Sequence, residues 1–231
     1  MKFNIINSII GLLYPSVCAA CGSTLFDWET LVCTRCRNLL PKTGYELNED
    51  NPLARLFYGK VQLKAVTACF FFSKEGKVQH LIHELKYKNN PDAGIFLGQE
   101  LGKTIREAPL FRGLDYLIPV PLHPKRERQR GYNQSMMIAQ GISEVTGITI
   151  GKDILVRSIN TATQTHKNKE ERWQNVKDIF DLKHAELLEG KYVLLIDDVL
   201  TTGATLEACA SKLSSIPGIT ISCATAACAG Q

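Results

Sequence analysis

Several things are missing from this chain of 231 residues. No apolar run reaches the roughly eighteen residues that a membrane helix requires. Neither an internal repeat nor a low-complexity tract is present, which argues against a solenoid or a disordered scaffold. The phosphate-binding signatures G-x-x-x-x-G-K-[ST] and G-x-G-x-x-G are absent, so a P-loop or dinucleotide fingerprint does not organise it. A large excess of one charge sign is also missing, with 27 Lys and Arg against 23 Asp and Glu. A formal +4 suits a phosphate-bearing ligand but cannot by itself argue for nucleic acid. What is present, 45% apolar and 22% charged residues, is the composition of a soluble globular protein, and 231 residues can hold one α/β domain and a small appendage.

The N-terminus imitates a signal peptide, with Lys2 ahead of Ile5, Ile6, Ile9, Ile10, Leu12 and Leu13. Asn4, Asn7 and Ser8 interrupt that run, and the apolar pairs recur four residues apart. The stretch therefore reads as a short amphipathic helix docked on the body of a cytoplasmic protein.

Eight cysteines fall into two groups. Cys18, Cys21, Cys33 and Cys36 form two CxxC pairs separated by eleven residues. Each pair sets two thiolates on one side of a tight turn, and two such turns complete a tetrahedral four-sulfur site for a structural Zn²⁺. Two disulfides would require an oxidising compartment that nothing else supports. A redox CxxC has no use for a second pair. Cys69, Cys209, Cys223 and Cys228 lie in apolar runs and read as core.

This places an amphipathic helix plus zinc ribbon over residues 1–45, a linker over 46–64 and an α/β domain over 65–231. In that domain strands are expected at 65–72, 114–121, 154–157 and 219–228, and helices at 77–88, 92–106 and 133–145. His80 and His83 lie one turn apart without companion ligands and read as helix surface. The run Lys86, Tyr87, Lys88 fits a solvated face or a phosphate contact.

After the second of these strands comes a loop with four cations in six residues, including Arg126, Arg128 and Arg130. Ligands collect at the carboxyl ends of strands in an open α/β sheet, and forked arginines there suit a pyrophosphate. Asn133 and Gln134 are candidates for the following helix N-terminus and for polar substrate contacts. The polar stretch 158–177 reads as a lid.

The stretch KYVLLIDDVLTTGAT, residues 191–205, concentrates the chemistry. An unbroken apolar run, 193–196, suits a strand covered on both faces. Asp197 and Asp198 follow, and then Thr201, Thr202, Gly203, Ala204 and Thr205 lead into a helix expected over 206–214. Free N–H groups and the helix dipole favour a phosphate there, and Gly203 allows close approach. Two tasks fit the carboxylates beside it: accepting hydrogen bonds from vicinal sugar hydroxyls, or organising Mg²⁺. The segment resembles the phosphoribosyl pyrophosphate (PRPP) loop of type I phosphoribosyltransferases.

Across nearly its whole length the chain resembles the ComF family, named for DNA uptake during natural competence. The resemblance rests on Tyr14-Pro15, the four-cysteine ribbon, IHELKY at 82–87, PVPLHPKRERQRGYNQ at 119–134, Gln164 with Glu171, Arg172, Asn175, Val176 and Phe180, and the PRPP loop. Tyr132 stands where Phe is more usual. The resemblance implies a type I phosphoribosyltransferase-like fold, a mostly parallel sheet flanked by helices, preceded by a zinc ribbon. It also implies an ancestral glycosyltransferase chemistry, displacement of pyrophosphate from C1 of PRPP with Mg²⁺. Asp197 and Asp198 then hold ribose hydroxyls or metal, residues 201–205 the 5′-phosphate, and the three arginines the pyrophosphate. Three functions compete: a phosphoribosyltransferase, a module binding a nucleotide or single-stranded DNA, and a zinc ribbon docking a helicase-like DNA-uptake partner. Phe57, Tyr58 and Trp173 are the aromatics that suggest nucleic acid.

Overall fold

The computed structural model describes residues 16–157 and 179–229. The expected N-terminal helix and the whole of the expected lid lie outside that range.

Five strands form one parallel sheet. In chain order they are β1 (Val66–Phe72), β2 (Tyr116–Pro119), β3 (Thr149–Ile150), β6 (Tyr192–Leu200) and β7 (Thr220–Ala229), and in space they run β1-β7-β6-β2-β3. β4 (Leu155–Arg157) and β5 (Phe180–Leu182) form a separate antiparallel pair. The central strand β6 is apolar on both faces because both are covered. Leu194 and Ile196 join a core on one side, while Val193 and Leu195 join a second core on the other.

The first core is roofed by α3 (Lys77–Tyr87), α4 (Pro91–Glu107) and α6 (Gln134–Thr146), through residues such as Leu85, Leu97, Ile138 and Ile142. The second lies under α7 (Ala204–Leu213), with Leu206, Cys209 and Leu213 facing the sheet. Cys69, Cys209, Cys223 and Cys228 are all buried, as expected for core thiols.

β2 leads through α6 to β3 on one side, and β6 leads through α7 to β7 on the other. The winding reverses between β2 and β6. A crevice opens outside the carboxyl ends of strands at such a reversal.

The ribbon is not an independent bead. α1 (Thr34–Asn38) begins at its second knuckle, and Cys18, Ala20, Val32, Cys36 and Leu40 belong to the same core as Leu81 and Phe96. His80, read as helix surface, uses its Nδ1 to bond the Ala20 carbonyl at 2.9 Å, pinning the first knuckle to α3. Past the ribbon the chain lies against the β1 edge: Phe71 N–H donates to Pro41 O at 2.8 Å and Thr43 N–H to Cys69 O at 3.1 Å. That contact occupies an edge otherwise open to strand addition.

The stretch 46–64 carries its own packing. Asn51 is 1% exposed; its Nδ2 donates to three carbonyls and its Oδ1 caps α2 (Pro52–Arg55) through the N–H groups of Leu53 and Ala54. Phe57, expected as a possible stacking surface, is instead buried in the second core, where its ring meets Gly203.

α4 and α6 cross with backbones nearly touching. A Cβ on Gly98 would lie 2.1 Å from the Ile138 carbonyl oxygen, and one on Gly141 would lie 2.1 Å from that of Ile95. Only glycine at both positions permits this approach, and it fixes where the start of α6 meets β6.

Candidate functional site

β6 runs further than its apolar stretch. It continues through Asp197 and Asp198 to Leu200 instead of ending before them. Its neighbours explain this. β2 pairs with β6 only as far as Pro119 opposite Ile196, with one more bond from Val120 N–H to Ile196 O. β7 stays alongside, with Asp197 opposite Thr225 and Leu200 opposite Cys228. One side of the diacid is thus held by the sheet, and the other has no strand paired with it.

Three groups grip the acids. Ser135 Oγ, in the first turn of α6, donates to Asp197 Oδ1 at 3.0 Å, and the Asp198 N–H donates to the same oxygen at 2.9 Å. Lys86, near the end of α3, reaches Asp198 Oδ1 at 2.8 Å across 112 positions of sequence. Burial and the neighbouring Asp198 carboxylate push the Asp197 carboxyl above the usual range, against the two hydrogen bonds and Lys86 that favour its charge. The second oxygen of each carboxylate has no hydrogen bond among the described residues.

The turn 201–203 leads into α7, which begins at Ala204, two residues earlier than expected. Gly203 sits at φ 80° as the N-cap and offers no side chain to the first turn. Thr205 and Leu206 therefore present N–H groups with no intrahelical acceptor. Thr201, Thr202, Ala204 and Thr205 are exposed beside them.

The arginine stretch is a short helix, not a loop. Pro124 opens α5 (Pro124–Arg130), His123 Nδ1 caps it by accepting from Lys125 N–H, and Gly131 at φ 83° closes it. Arg126, Arg128 and Arg130 line a groove of about 810 Å³ together with Lys86 and Tyr87. The Arg130 guanidinium lies 5.9 Å from the Tyr87 ring centre. None of the three arginines makes an ion pair among the described residues. Arg157 on β4 adds a fourth arginine, close to Arg126; burial first, and then that neighbour, lower its pKa. Lys86 thus joins the arginine groove to the diacid, whereas the groove is not walled by the 201–205 turn.

Sequence reasoning left Lys86 between a solvated face and a phosphate contact, and it missed Ser135 and Arg157. The IHELKY match was the available signal for Lys86. Asn133 caps α6 as expected and donates to Val120 O at 3.0 Å. Gln134 is 2% exposed, and its Nε2 has no partner among the described residues.

The four ribbon thiols lie within 4.8 Å of one another. Four sulfurs around Zn²⁺ at about 2.3 Å stand about 3.8 Å apart, and Cys21 Sγ to Cys33 Sγ is 3.9 Å. The knuckle N–H groups of Cys33 and Cys36 already point at Cys18 Sγ and Cys33 Sγ, at 3.3 and 3.4 Å. The set fits a tetrahedral soft-ligand metal, zinc foremost. Among the described residues no helix is long and apolar enough to cross a membrane.

No family model matches the chain. A DNA utilization protein YhgH of Shigella flexneri is 32% identical over 213 residues, covering 87% of this chain and 92% of its own. The chain belongs to the ComF family. Competence protein ComFC of Bacillus subtilis is 38% identical over 91 residues, 39% of this chain and 35% of that one. The match to the Salmonella typhi YhgH, at 31% identity, spans only 58% of this chain and 59% of the relative. Among solved structures, this ComF chain is similar to a glutamine PRPP amidotransferase of B. subtilis (19% identity, TM-score 0.41, 61% of this chain and 30% of that one). It is also similar to an adenine phosphoribosyltransferase of Leishmania tarentolae (15%, TM-score 0.36, 79% and 77%). Scores at that level carry no argument about what this ComF protein does.

Proposed function

We propose that this chain binds a phosphoribosyl ligand, PRPP or ribose 5-phosphate, at the crevice between β2 and β6, and acts on PRPP as a type I phosphoribosyltransferase-like protein that releases pyrophosphate. The observation that carries the reading is the diacid at the open end of β6, with an uncapped helix start after it and a cationic groove joined to it by Lys86.

In this reading Asp197 and Asp198 accept hydrogen bonds from the ribose hydroxyls. Thr201, Thr202, Gly203, Ala204 and Thr205 receive the 5′-phosphate on N–H and hydroxyl donors. Arg126, Arg128 and Arg130 take the pyrophosphate in forked contacts. The all-oxygen donor set of the two aspartates suits Mg²⁺, which when bound would neutralise charge on the leaving group. Ser135 fixes the Asp197 oxygen that faces α6, which keeps the other available. The chain's own part is alignment: a sugar held at both ends presents C1 to an acceptor, and cations wait where charge develops. Incubation with PRPP, Mg²⁺ and a panel of bases and amines, followed by pyrophosphate release, tests it. Release with one acceptor supports transfer. Binding without release supports a ligand-binding module.

A separate observation favours a second reading, single-stranded DNA held by the ribbon. Phe26 and Trp28 stack with centroids 4.8 Å apart and planes 5° apart, and are 63% and 75% exposed. Arg35 and Lys77 line the same surface groove. Exposed aromatics beside cations stack bases and neutralise phosphates. Trp28→Ala should weaken binding of a labelled oligonucleotide about tenfold, with an affinity that falls steeply with salt; unchanged affinity removes this reading.

A further inference from the structure

We propose that Lys86 is a shared cation: it holds Asp198 in the free protein and transfers to the diphosphate when the site loads. This inference rests on the phosphoribosyl reading above and adds to it a residue that changes partner.

Three observations carry it. First, Lys86 belongs to two places at once. Its Nζ lies 2.8 Å from Asp198 Oδ1, and the residue also walls the groove of Arg126, Arg128 and Arg130. Second, both ends of the ion pair are mostly sheltered, at 25% and 14% side-chain exposure, so it is not a surface pair of little consequence. Asp197 and Asp198 are adjacent carboxylates that repel each other, and Lys86 is the cation paired with Asp198.

Third, the backbone that carries Lys86 is anchored, so a change of partner falls to its side chain. Tyr132 Oη donates to Leu85 O at 2.6 Å, tying the last turn of α3 to the α5–α6 junction. Glu84 pairs with Lys88 at 2.9 Å and accepts from Asn90 Nδ2 at 3.3 Å, closing off the helix end. Only the four-carbon stem remains to move. An ammonium on such a stem is a point charge with three donors, which can change partners without the fixed geometry a guanidinium imposes.

The consequence is a coupling between halves of the pocket. While Lys86 sits on Asp198 it competes with whatever that carboxylate is to hold. A diphosphate in the arginine groove draws the ammonium away and frees Asp198 for the sugar hydroxyls. Binding at one half then favours binding at the other, and reciprocally.

The test is calorimetric titration of the full chain with pyrophosphate, no Mg²⁺ added, and separately with ribose 5-phosphate. The proteins are the wild type, Lys86→Met, Asp198→Asn and the double variant. Asp198→Asn releases Lys86 and should tighten pyrophosphate binding about threefold or more; in the double variant that gain should vanish. Lys86→Met alone should weaken pyrophosphate about tenfold while ribose 5-phosphate changes less than about twofold or tightens. A gain that persists in the double variant means only the general field of the carboxylate was removed, and overturns the proposal. Equal loss of both ligands in Lys86→Met assigns the residue to support of the fold and overturns it too, as does unchanged binding of both. Wild-type protein that binds neither ligand overturns the phosphoribosyl reading itself, an outcome distinct from these.

Discussion

The four-cysteine ribbon and the diacid crevice both gather charged or chargeable groups, but the order comes from opposite sources. In the ribbon the side chains are crowded and the frame is thin. Burial and the neighbouring thiols push Cys36 up, while hydrogen bonds from Ser23 bring the exposed Cys21 down to about 6. Four such sulfurs within 4.8 Å of one another suit a single metal ion, and such a site ties folding to its ligand. At the crevice the frame comes first. β7 holds one flank of the diacid, α6 is seated by glycine contacts, and Asp197 is placed where it is electrostatically uncomfortable. The lesson is that one region gathers its groups through crowded side chains suited to an ion, and the other places its carboxylates through the frame around them.

The sharpest way to break that contrast is to take the metal away. Cys18→Ser with Cys21→Ser should lose one equivalent of zinc by elemental analysis and lower the melting temperature by on the order of 10 °C, since the ribbon core continues into the main one. Ribose 5-phosphate affinity measured well below that melting point should change less than about threefold. The reciprocal experiment is Asp197→Asn with Asp198→Asn. Calorimetry should show ribose 5-phosphate binding weakened at least about 100-fold, from the loss of charged hydrogen bonds, with zinc content unchanged. Should either change disable both regions, the two are one cooperative unit.

Gly141→Ala probes whether packing sets the crevice. Its methyl would collide with the Ile95 carbonyl and force α4 and α6 apart, at a cost of about 3 kcal/mol in denaturant unfolding. Gly147→Ala, where a Cβ meets nothing within 4 Å, is the control for backbone strain at a helix end. The smallest effect is a pH dependence. Asp197 has a raised folded value, so the folded state binds more protons than the unfolded chain. Stability falls as pH climbs from about 4, the ordinary carboxylate value, through that raised one. Asp197→Asn imitates the protonated acid, so it should melt about 2–4 °C higher than wild type at pH 8 and no higher near pH 4. A gain that is the same at both pH values would mean the strain is not electrostatic.

Much of this was legible along the chain, and what was not has identifiable reasons. The apolar run 193–196 marked the central strand, and the CxxC spacing marked a cluster of thiols close enough for one ion. The extension of β6 through Asp197 and Asp198 was hidden, because acids after an apolar run read as a strand end. Here the pairing with β7, a feature of topology, carries the strand onward. The arginine stretch was expected as a loop although Pro124 and Gly131 bracket it as a helix start and stop. Asn51 lies in a stretch with the composition of a linker, and its five hydrogen bonds appear only once the chain folds. Lys86 and Asp198, 112 positions apart, have no local pattern to announce them.

The backbone contact between α4 and α6 has a consequence for tolerance. Most helix pairs are separated by a layer of side chains that can repack, and that layer absorbs small errors in position. Between Gly98 and Gly141 there is no such cushion, so the distance is gauged by carbonyl oxygens meeting Cα atoms. The hydroxyl of Ser135 is carried on the same helix, two turns before Gly141, and inherits that calibration when it meets Asp197. A displacement of a few tenths of an ångström at the crossing would be spent at the carboxylate. The crossing thus acts as the zero mark from which the crevice is measured.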